Sequence, residues 1–408
     1  MKSNAEKLTR VDSSLRGYRR SALFLMILLS GGSLLFPRIP ILLVGSILGL
    51  LASRLKIVPF SRTVWIWGIL LLILVISLIR PGGVDFSSLS IRFANFLGGL
   101  VLLNTYLCAP TGCLEKDLSW LLRLMAIQAI GTVFLASIAE SLFNTILIAD
   151  ASEKTLLFIF NYHESFEGVF LKRPDGFFFE PGVFQMYLNI FLYLSLIVYR
   201  RTSDSILALF AVFSTQSTTG IIIALFIVFV EIVRRMGSVG IRQKMKIGVL
   251  IFFVLPPIGY TSYLNVMEKI SGQARGSSFA REYDLYTGLN VIAQYPILGI
   301  GFSHARYLDV SQRNPFADSQ ISTEAMEDRP TTNGLIYLYY SLGVPIGTIM
   351  LLGLLRQKLL QHRLISTVVF ILSLFGEAIV FTPFILMFIF SALLIFPKNG
   401  DQSLRLLQ

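Results

Sequence analysis

Residues 62–80 read RTVWIWGILLLILVISLIR, a stretch in which 17 consecutive uncharged residues stand between two arginines. A helix needs about 20 apolar residues to cross a hydrocarbon core about 30 Å thick, so this stretch predicts a membrane span. The same pattern predicts twelve spans, the second and seventh of them short: 21–37, 39–53, 62–80, 91–108, 118–140, 180–199, 203–217, 219–235, 245–263, 332–355, 363–379 and 381–397.

The composition of the whole chain agrees with many spans. Of its 408 residues, 54% are hydrophobic and 14% are charged, whereas about a quarter of the residues in soluble domains are charged. This excludes a water-soluble enzyme. We expect an all-α polytopic integral membrane protein with about 12 transmembrane helices, organised as one transmembrane domain over residues 1–408.

The positions of lysine and arginine predict the orientation of the chain. Twenty-two of them lie on the side of the N-terminus and 12 on the other, and for short loops alone the comparison is 22 against 3. Because short cytoplasmic loops are enriched in these residues, both termini are expected in the cytoplasm. The net charge of +11 therefore indicates topology and not nucleic-acid binding.

Two outward loops, residues 141–179 and 264–331, are long, whereas most other connections are near the minimum for a hairpin. Long ordered loops usually carry function, so the active surface is predicted to face away from the cytoplasm, with short interfacial helices in these loops. Cys108 and Cys113 are expected to be free thiols. The three histidines are far apart and the acidic residues are not paired, so neither a metal site nor a cofactor is expected.

The segment KRPDGFFFEPG, residues 172–182, is the most informative motif. Pro181 suits the first turn of a helix and Gly176 suits a turn, which places Glu180 at a helix N-terminus, where the macrodipole favours an ionised carboxylate. Glu180 is then either a proton acceptor or only a helix cap. Arg173 is either part of a site or an anchor at the level of the lipid headgroups.

The second loop contains a predicted interfacial helix. Charged residues at 281 and 284 alternate with Tyr283, Leu285 and Leu289, and the pattern ends at Pro296 before a glycine turn at 299–301. Arg281 on this helix would either bind anionic lipid headgroups or take part in catalysis. Tyr283 and His304 are candidate substrate-binding residues.

Two further polar segments flank predicted spans. Asp328 and Arg329 precede Thr332 and Asn333 at the mouth of the span 332–355, where such residues either cap the helix or bind substrate. The segment STQSTTG, residues 214–220, is either a tight hairpin or a sugar-binding lip at the outer face.

Taken in order, these motifs resemble those of the bacterial O-antigen polymerase and ligase superfamily. The resemblance runs from about residue 173 to 347 and rests on four motifs: 173–182, the hydroxyl-rich turn before Gly220, Arg281 upstream of PILGIG at 296–301, and TNGL at 332–335 with GVPIG at 343–347. Each motif is weak alone, but the four occur in the family's order.

The resemblance implies a multi-pass glycosyltransferase of the bacterial inner membrane that acts at the periplasmic face. Its donor and acceptor would be undecaprenyl-pyrophosphate-linked oligosaccharides, among membrane lipids, with a chain-length regulator and a flippase as further partners and no nucleic acid. In the ligase branch, two arginines hold the pyrophosphate and a histidine serves as the base. Arg173 and Arg281 match the arginines, but Thr332 stands at the histidine position, which favours the polymerase branch.

The chemistry agrees with these residue types. A leaving pyrophosphate gathers negative charge, and the planar guanidinium group of arginine matches phosphate oxygens while keeping its proton. Glu180 is the first candidate for the general base, with Asp328 and His304 as alternatives. We expect metal-independent joining of O-antigen repeat units. The open alternatives are a ligase that transfers glycan to the lipid A core, and a polysaccharide flippase or transporter.

The charge asymmetry gives a direct test of topology. Single cysteines at Asp150 or Gln320, with Cys108 and Cys113 changed to serine, should react with a membrane-impermeant reagent in spheroplasts, and one at Gly240 should not. Reaction at Gly240 alone would invert the predicted orientation.

Overall fold

A computed structural model describes residues 2–31, 37–79, 85–148, 151–163, 172–178, 180–236, 275–312 and 331–395. The predicted span 245–263 lies outside these ranges, and so do Asp328 and Arg329. The chain forms two compact units. The first combines Met1–Leu121, Tyr283–Thr367 and Glu377–Gln408, and the second combines Leu122–Glu282 and Val368–Gly376.

Helices dominate the described residues. Before the first outward loop they are α1 Lys2–Leu28, α2 Arg38–Ala52, α3 Phe60–Ile79, α4 Phe86–Leu107 and α5 Cys113–Ile138. After it come α6 Pro181–Tyr193, continued by a π-helical turn Leu194–Val198, then α7 Thr202–Ser214 and α8 Thr218–Met236. The remaining helices are α9 Arg275–Gln294, α10 His304–Gln312, α11 Gly334–Leu355, α12 Arg363–Gly376 and α13 Pro383–Ala392.

The all-α polytopic class is confirmed. Among the described residues, five helical segments are long and apolar enough to cross a membrane: Phe60–Ile79, Phe86–Leu107, Cys113–Ile138, Pro181–Val198 and Gly334–Leu355. Four shorter apolar helices are α2, α7, α12 and α13. The number of twelve spans stays a prediction.

The first helix differs from the predicted span 21–37. It begins at Lys2 and ends at Leu28, because the polar residues before position 21 continue the helix and the glycine pair at 31 and 32 follows its end. Arg19 and Arg20 near its middle both donate to Asp117 at the start of α5, at 2.5 and 2.9 Å. Since Arg19 and Asp117 are buried, this ion pair fixes the polar part of α1 within the first unit.

The first outward loop contains a β-sheet, where only helices were expected. Its strands β1 Asn144–Ile148, β2 Ala151–Leu156, β3 Phe160–His163 and β4 Arg173–Pro174 pair antiparallel in that order. Strands this short and partly charged give little periodic signal. Long-range contacts of Glu140 support the sheet.

Glu140 precedes the sheet and accepts hydrogen bonds from two of its lysines and one tyrosine. The donors are Lys172 at 2.9 Å, Tyr162 at 3.0 Å and Lys154 at 3.3 Å. These bonds lower the pKa of Glu140 to about 2. The bond from Lys172 lowers it most, followed by the bonds from Tyr162 and Lys154. The carboxylate is therefore ionised at any physiological pH.

In the second unit, α6, α7 and α8 pack together around buried amides. Asn189 of α6 donates to the backbone carbonyl of Gly220 at 3.1 Å and to the Gln185 side chain at 2.9 Å. A Cβ atom at Gly220 would lie 2.9 Å from Gln185, so only glycine allows this approach of α8 to α6. The amide contacts hold α6, and hence its first residue, in place.

In the first unit, α1, α2, α4, α11 and α13 pack around a cluster of aromatic rings. Phe96 is fully buried and contacts Phe302, Phe381 and Phe390 with ring centroids 5.9–6.4 Å apart. Each such ring buries about 150–250 Å² and contributes strongly to stability. This cluster joins the second outward loop, through Phe302, to the transmembrane helices of the same unit.

Helix α11 is kinked at Gly343, where φ is 78° and ψ is 166°. The segment 296–301 lies against this kink: Ile300 N donates to Tyr340 O at 2.7 Å, Gly301 N to Ser341 O at 3.0 Å, and Val344 N to Pro296 O at 2.7 Å. Two of the motifs that carry the family resemblance are thus in direct backbone contact. The kink exposes backbone groups of α11, and the glycine turn supplies their partners.

Changing Gly343 should therefore damage the first unit. A Cβ atom there would lie 2.1 Å from the Ile297 carbonyl oxygen, and the dihedral angles favour glycine alone. We expect Gly343→Ala to destabilise the detergent-solubilised protein by about 2 kcal/mol or more. Gly68→Ala is the control, since a Cβ atom at this position in α3 meets nothing within 4 Å. Equal melting temperatures for the two variants would contradict this account.

Candidate functional site

The motif 172–182 folds as the sequence predicts. Gly176 adopts a φ of +66° in a turn, and Pro181 is the first residue of α6. The Phe184 ring covers Gly176 so closely that a Cβ atom would lie 2.9 Å from it, and Phe178 stacks on Tyr187 with ring centroids 5.1 Å apart. The turn is thus fixed on the first turns of α6.

The side chains of Arg173, Asp175, Glu180 and Arg281 interact through their charges, and we name them the arginine group. All four belong to the second unit. Arg173 Nε donates to the backbone carbonyl of Thr215 at 3.3 Å. Two arginines predicted from separate loops are therefore brought close enough to influence each other.

Arg173 is half-buried, and this changes its electrostatics. Burial lowers the pKa of Arg173, while the neighbouring carboxylates of Asp175 and Glu180 raise it and the charge of Arg281 lowers it. Arginine nevertheless stays protonated in proteins. Within the described residues, neither Arg173 nor Arg281 has a carboxylate within the 4.0 Å of a salt bridge. Two cations without such ion pairs can receive an anion.

Asp175 is the completely buried member of this group. Its backbone N–H donates to the Asn161 carbonyl at 3.0 Å, and the Asn161 side chain donates to the Gly176 carbonyl at 2.9 Å. Strand β3 thereby fixes the turn after Arg173. Sequence reasoning missed this residue as part of the site, although it stands between the two candidates Arg173 and Glu180 in the same motif.

Glu180 occupies the N-cap position of α6, with extended backbone angles. Its backbone carbonyl accepts from Val183 and Phe184, but its side chain makes no capping hydrogen bond. The residue is exposed. Its carboxylate is thus left for other interactions, at a helix end where the partial positive charge favours an anion.

The turn STQSTTG is a tight hairpin between α7 and α8, one of the two alternatives for this segment. Gln216 adopts a φ of +52° within it. The Ser217 hydroxyl accepts from Gly220 N at 3.3 Å, and the Thr215 hydroxyl accepts from Ser217 N at 3.3 Å. Sugar binding at this turn stays a prediction.

A second group of polar side chains lies in the first unit, and we name it the Asp284 group: Asp284, Tyr307 and Thr332. Asp284 is buried in α9, and its carboxylate accepts from Thr332 N at 2.8 Å, from Thr332 Oγ1 at 2.7 Å and from Tyr307 OH at 3.4 Å. Burial, followed by the charge of Asp284, raises the pKa of Tyr307. Tyr307 therefore stays a hydroxyl donor.

The helix predicted in the second loop is present as α9, and its position at the membrane interface stays a prediction. Tyr283, Asp284 and Val291 are buried on one face, whereas Leu285, Tyr286 and Leu289 are about 40–50% exposed on the other. The helix ends at Gln294, just before Pro296, and Gly299 and Gly301 have positive φ in the following turn. Asp284 was missed as a site residue, although its place on the buried face of this pattern was the available signal.

The remaining predicted site residues have different surroundings. Asn333 is the N-cap of α11, and its side chain accepts from Leu335 N and Ile336 N, each at 3.0 Å. Tyr283 is buried, and His304 is the first residue of α10. Substrate binding by Asn333, Thr332, Tyr283 and His304 stays a prediction.

The comparison with protein families finds a match, which includes part of these residues. Residues 205–345 match the family model described as O-antigen ligase. This part of the chain is similar to the O-antigen ligase family. The superfamily predicted from the motifs, which contains O-antigen ligases and polymerases, is thus confirmed. No curated protein and no solved structure matches the chain.

The match covers about a third of the chain. It includes Arg281, Asp284, Thr332 and the glycine turn, whereas Arg173 and Glu180 precede it. The Asp284 group therefore lies wholly within the matched residues. The arginine group combines one arginine of the matched domain with residues outside it.

Proposed function

We propose that the chain is an O-antigen polymerase of the bacterial inner membrane, with both termini in the cytoplasm and the site at the periplasmic face. It joins oligosaccharide repeat units that are linked to undecaprenyl pyrophosphate, among membrane lipids, and works beside a flippase and a chain-length regulator. The arginine group carries the proposal, because neither of its two arginines has a carboxylate within 4.0 Å among the described residues.

The reaction breaks the bond between the anomeric carbon of the donor sugar and its pyrophosphate oxygen. A hydroxyl oxygen of the acceptor forms the new bond to that carbon, its proton passes to a base, and undecaprenyl pyrophosphate leaves. Charge gathers on the pyrophosphate in the transition state, so fixed cations nearby stabilise it more than the ground state. Arg173 and Arg281 have this role in our proposal.

Glu180 is the proposed base, since it is exposed and does not cap α6 with its side chain. Asp284 is a second candidate: it is buried and already accepts a hydrogen bond from the Thr332 hydroxyl. Thr332 replaces the histidine that serves as base in the ligase branch, and this supports a polymerase over a ligase.

Removing either arginine should abolish polymer formation. Loss of one preorganised donor typically costs about 10²–10³ in rate, so Arg173→Ala and Arg281→Ala should each form no visible product ladder in proteoliposomes. Lysine at either position should restore only part of the rate, because a point charge cannot make the bidentate contact.

Arg356→Ala is the control, since Arg356 is exposed at the end of α11. It should polymerise normally. A normal ladder from either Arg173→Ala or Arg281→Ala would exclude that arginine from the site.

The base can be identified with an isosteric substitution. Glu180→Gln cannot accept a proton and should slow transfer by about 10²–10⁴-fold, with donor binding almost unchanged. If Glu180 is structural, the change should cost only a fraction of a kcal/mol. Asp284→Asn measured beside it decides between the two carboxylates. A normal rate for Glu180→Gln with a severe loss for Asp284→Asn would transfer the role to Asp284.

A further inference from the structure

Two arginines in the first unit have no role in the proposed reaction so far. Arg38 is the first residue of α2, and Arg92 lies in the second turn of α4. These helices run parallel: a Cβ atom at Gly98 would lie 2.6 Å from Leu42, and Thr105 Oγ1 donates to Gly49 O at 3.1 Å. Leu42 thus lies beside Gly98, and Gly49 lies beside Thr105. One turn nearer the N-termini of the two helices, Arg38 lies beside the turn of α4 that contains Arg92.

The two guanidinium groups are close enough for their charges to repel each other. Arg92 is half-buried, and its guanidinium carbon lies 5.4 Å from the centroid of the Tyr337 ring. Within the described ranges, neither arginine has a carboxylate within 4.0 Å. Like charges held together in this way are stabilised by an anion that both can bind.

A line of aromatic contacts joins these arginines to the Asp284 group. Ring centroids are 5.3 Å apart for Tyr337 and Tyr340 and 5.0 Å apart for Tyr340 and Tyr307, and the Tyr307 hydroxyl donates to Asp284. All of these residues belong to the first unit. Tyr337, Tyr340 and Tyr307 are buried, so this packing fixes the position of Arg92 relative to the Asp284 group.

We propose that Arg38 and Arg92 form a second lipid-phosphate site, which binds the pyrophosphate of the acceptor. The inference rests on the proposed polymerase function. In that reaction the acceptor keeps its own undecaprenyl pyrophosphate while the donor loses its lipid, so the enzyme must hold two pyrophosphates at once. A ligase needs only one. A second site therefore separates the two branches by binding alone.

The test counts bound undecaprenyl pyrophosphate on the full-length protein in neutral phosphatidylcholine nanodiscs by native mass spectrometry. The unmodified protein should bind two molecules, and Arg38→Ala/Arg92→Ala should bind one, with the second binding about 10–100-fold weaker. Arg173→Ala/Arg281→Ala should also bind one. Arg38→Lys/Arg92→Lys, which keeps both charges, should recover part of the affinity, and Arg356→Ala should bind two.

Binding of two molecules by Arg38→Ala/Arg92→Ala, or of one by the unmodified protein, would overturn the proposal. A large excess of phosphatidylglycerol separates the two possible sources of phosphate. Two retained molecules support the pyrophosphate site, whereas loss of one shows an ordinary headgroup site and overturns the assignment. Product ladders from the same preparation report on the polymerase function separately.

The β2–β3 hairpin carries a second, independent inference. Its turn residues Leu157, Phe158 and Ile159 are apolar and 73%, 53% and 42% exposed. Leu157 and Phe158 adopt positive φ, at 55° and 58°, where asparagine and glycine are favoured. Bulky apolar residues thus replace the preferred turn residues, at a cost in backbone strain.

The hairpin contacts α5 near the middle of its apolar surface. The Gln128 side chain donates to the Ile159 carbonyl, and a Cβ atom at Gly131 would lie 3.2 Å from the Phe160 ring. Gln128 lies ten residues before the end of α5, which is about 15 Å along the helix, or about half of the hydrocarbon core. Phe134 and Ile138 beyond it are more than 60% exposed, as expected for residues that face lipid.

We infer that the hairpin re-enters the membrane and that its turn lies in the hydrocarbon of the outer leaflet. Backbone groups at this depth need partners within the protein. The buried amide of Gln128 supplies one to Ile159, and Ile159 N donates to Leu156 O at 3.2 Å. This accounts for a buried glutamine within an apolar span.

Spin labels at three positions measure the depth of the turn. Phe158→Cys is the test, Phe134→Cys is the lipid-facing reference, and Ser203→Cys is the aqueous reference, each with Cys108 and Cys113 changed to serine. A label at 158 should collide with oxygen more than with a water-soluble nickel chelate, as at 134. A label at 158 that resembles the one at 203 would overturn the inference, and Leu157→Cys repeats the test at the adjacent residue.

Discussion

The structure depends on the cost of leaving a backbone N–H or C=O group unpaired in hydrocarbon, which is several kcal/mol per group. Helices meet this requirement internally. Where the chain is irregular, a specific partner is present: the glycine turn at 299–301 for the kink at Gly343, and the Asn104 side chain for the backbone of Lys56 and Val58. The irregular backbone in both places is thus held by specific hydrogen bonds.

Charge placement determines what the protein can bind. Asp117 forms ion pairs with both Arg19 and Arg20 of α1, where the charges have a structural role. Arg173 and Arg281 have no such partner among the described residues, and neither do Arg38 and Arg92. Arg173 and Arg92 are half-buried, which is costly for a cation without a close counter-ion, and an anionic substrate would offset this cost.

Apolar periodicity predicted much of the fold, because lipid-facing helices need uninterrupted apolar residues. The span predicted at 62–80 is the helix Phe60–Ile79, and the helix predicted before Pro296 ends at Gln294. The sheet in the first loop was not predicted, since its stability comes from distant residues such as Glu140 and Gln128. The motif containing Arg173 was recognisable, whereas the burial of Asp284 depends on contacts with Thr332 and Tyr307 that no local pattern encodes.

The central claim is that Arg173 and Arg281 together receive the pyrophosphate of the leaving lipid. Competition for donor binding measures this directly. Undecaprenyl pyrophosphate and undecaprenyl monophosphate are compared as inhibitors of donor binding, first with the unmodified protein and then with Arg173→Ala. We predict that the pyrophosphate inhibits donor binding much more strongly in the unmodified protein, and that Arg173→Ala removes most of this preference. Equal inhibition by the two lipids, or a preference unchanged in Arg173→Ala, would contradict the account.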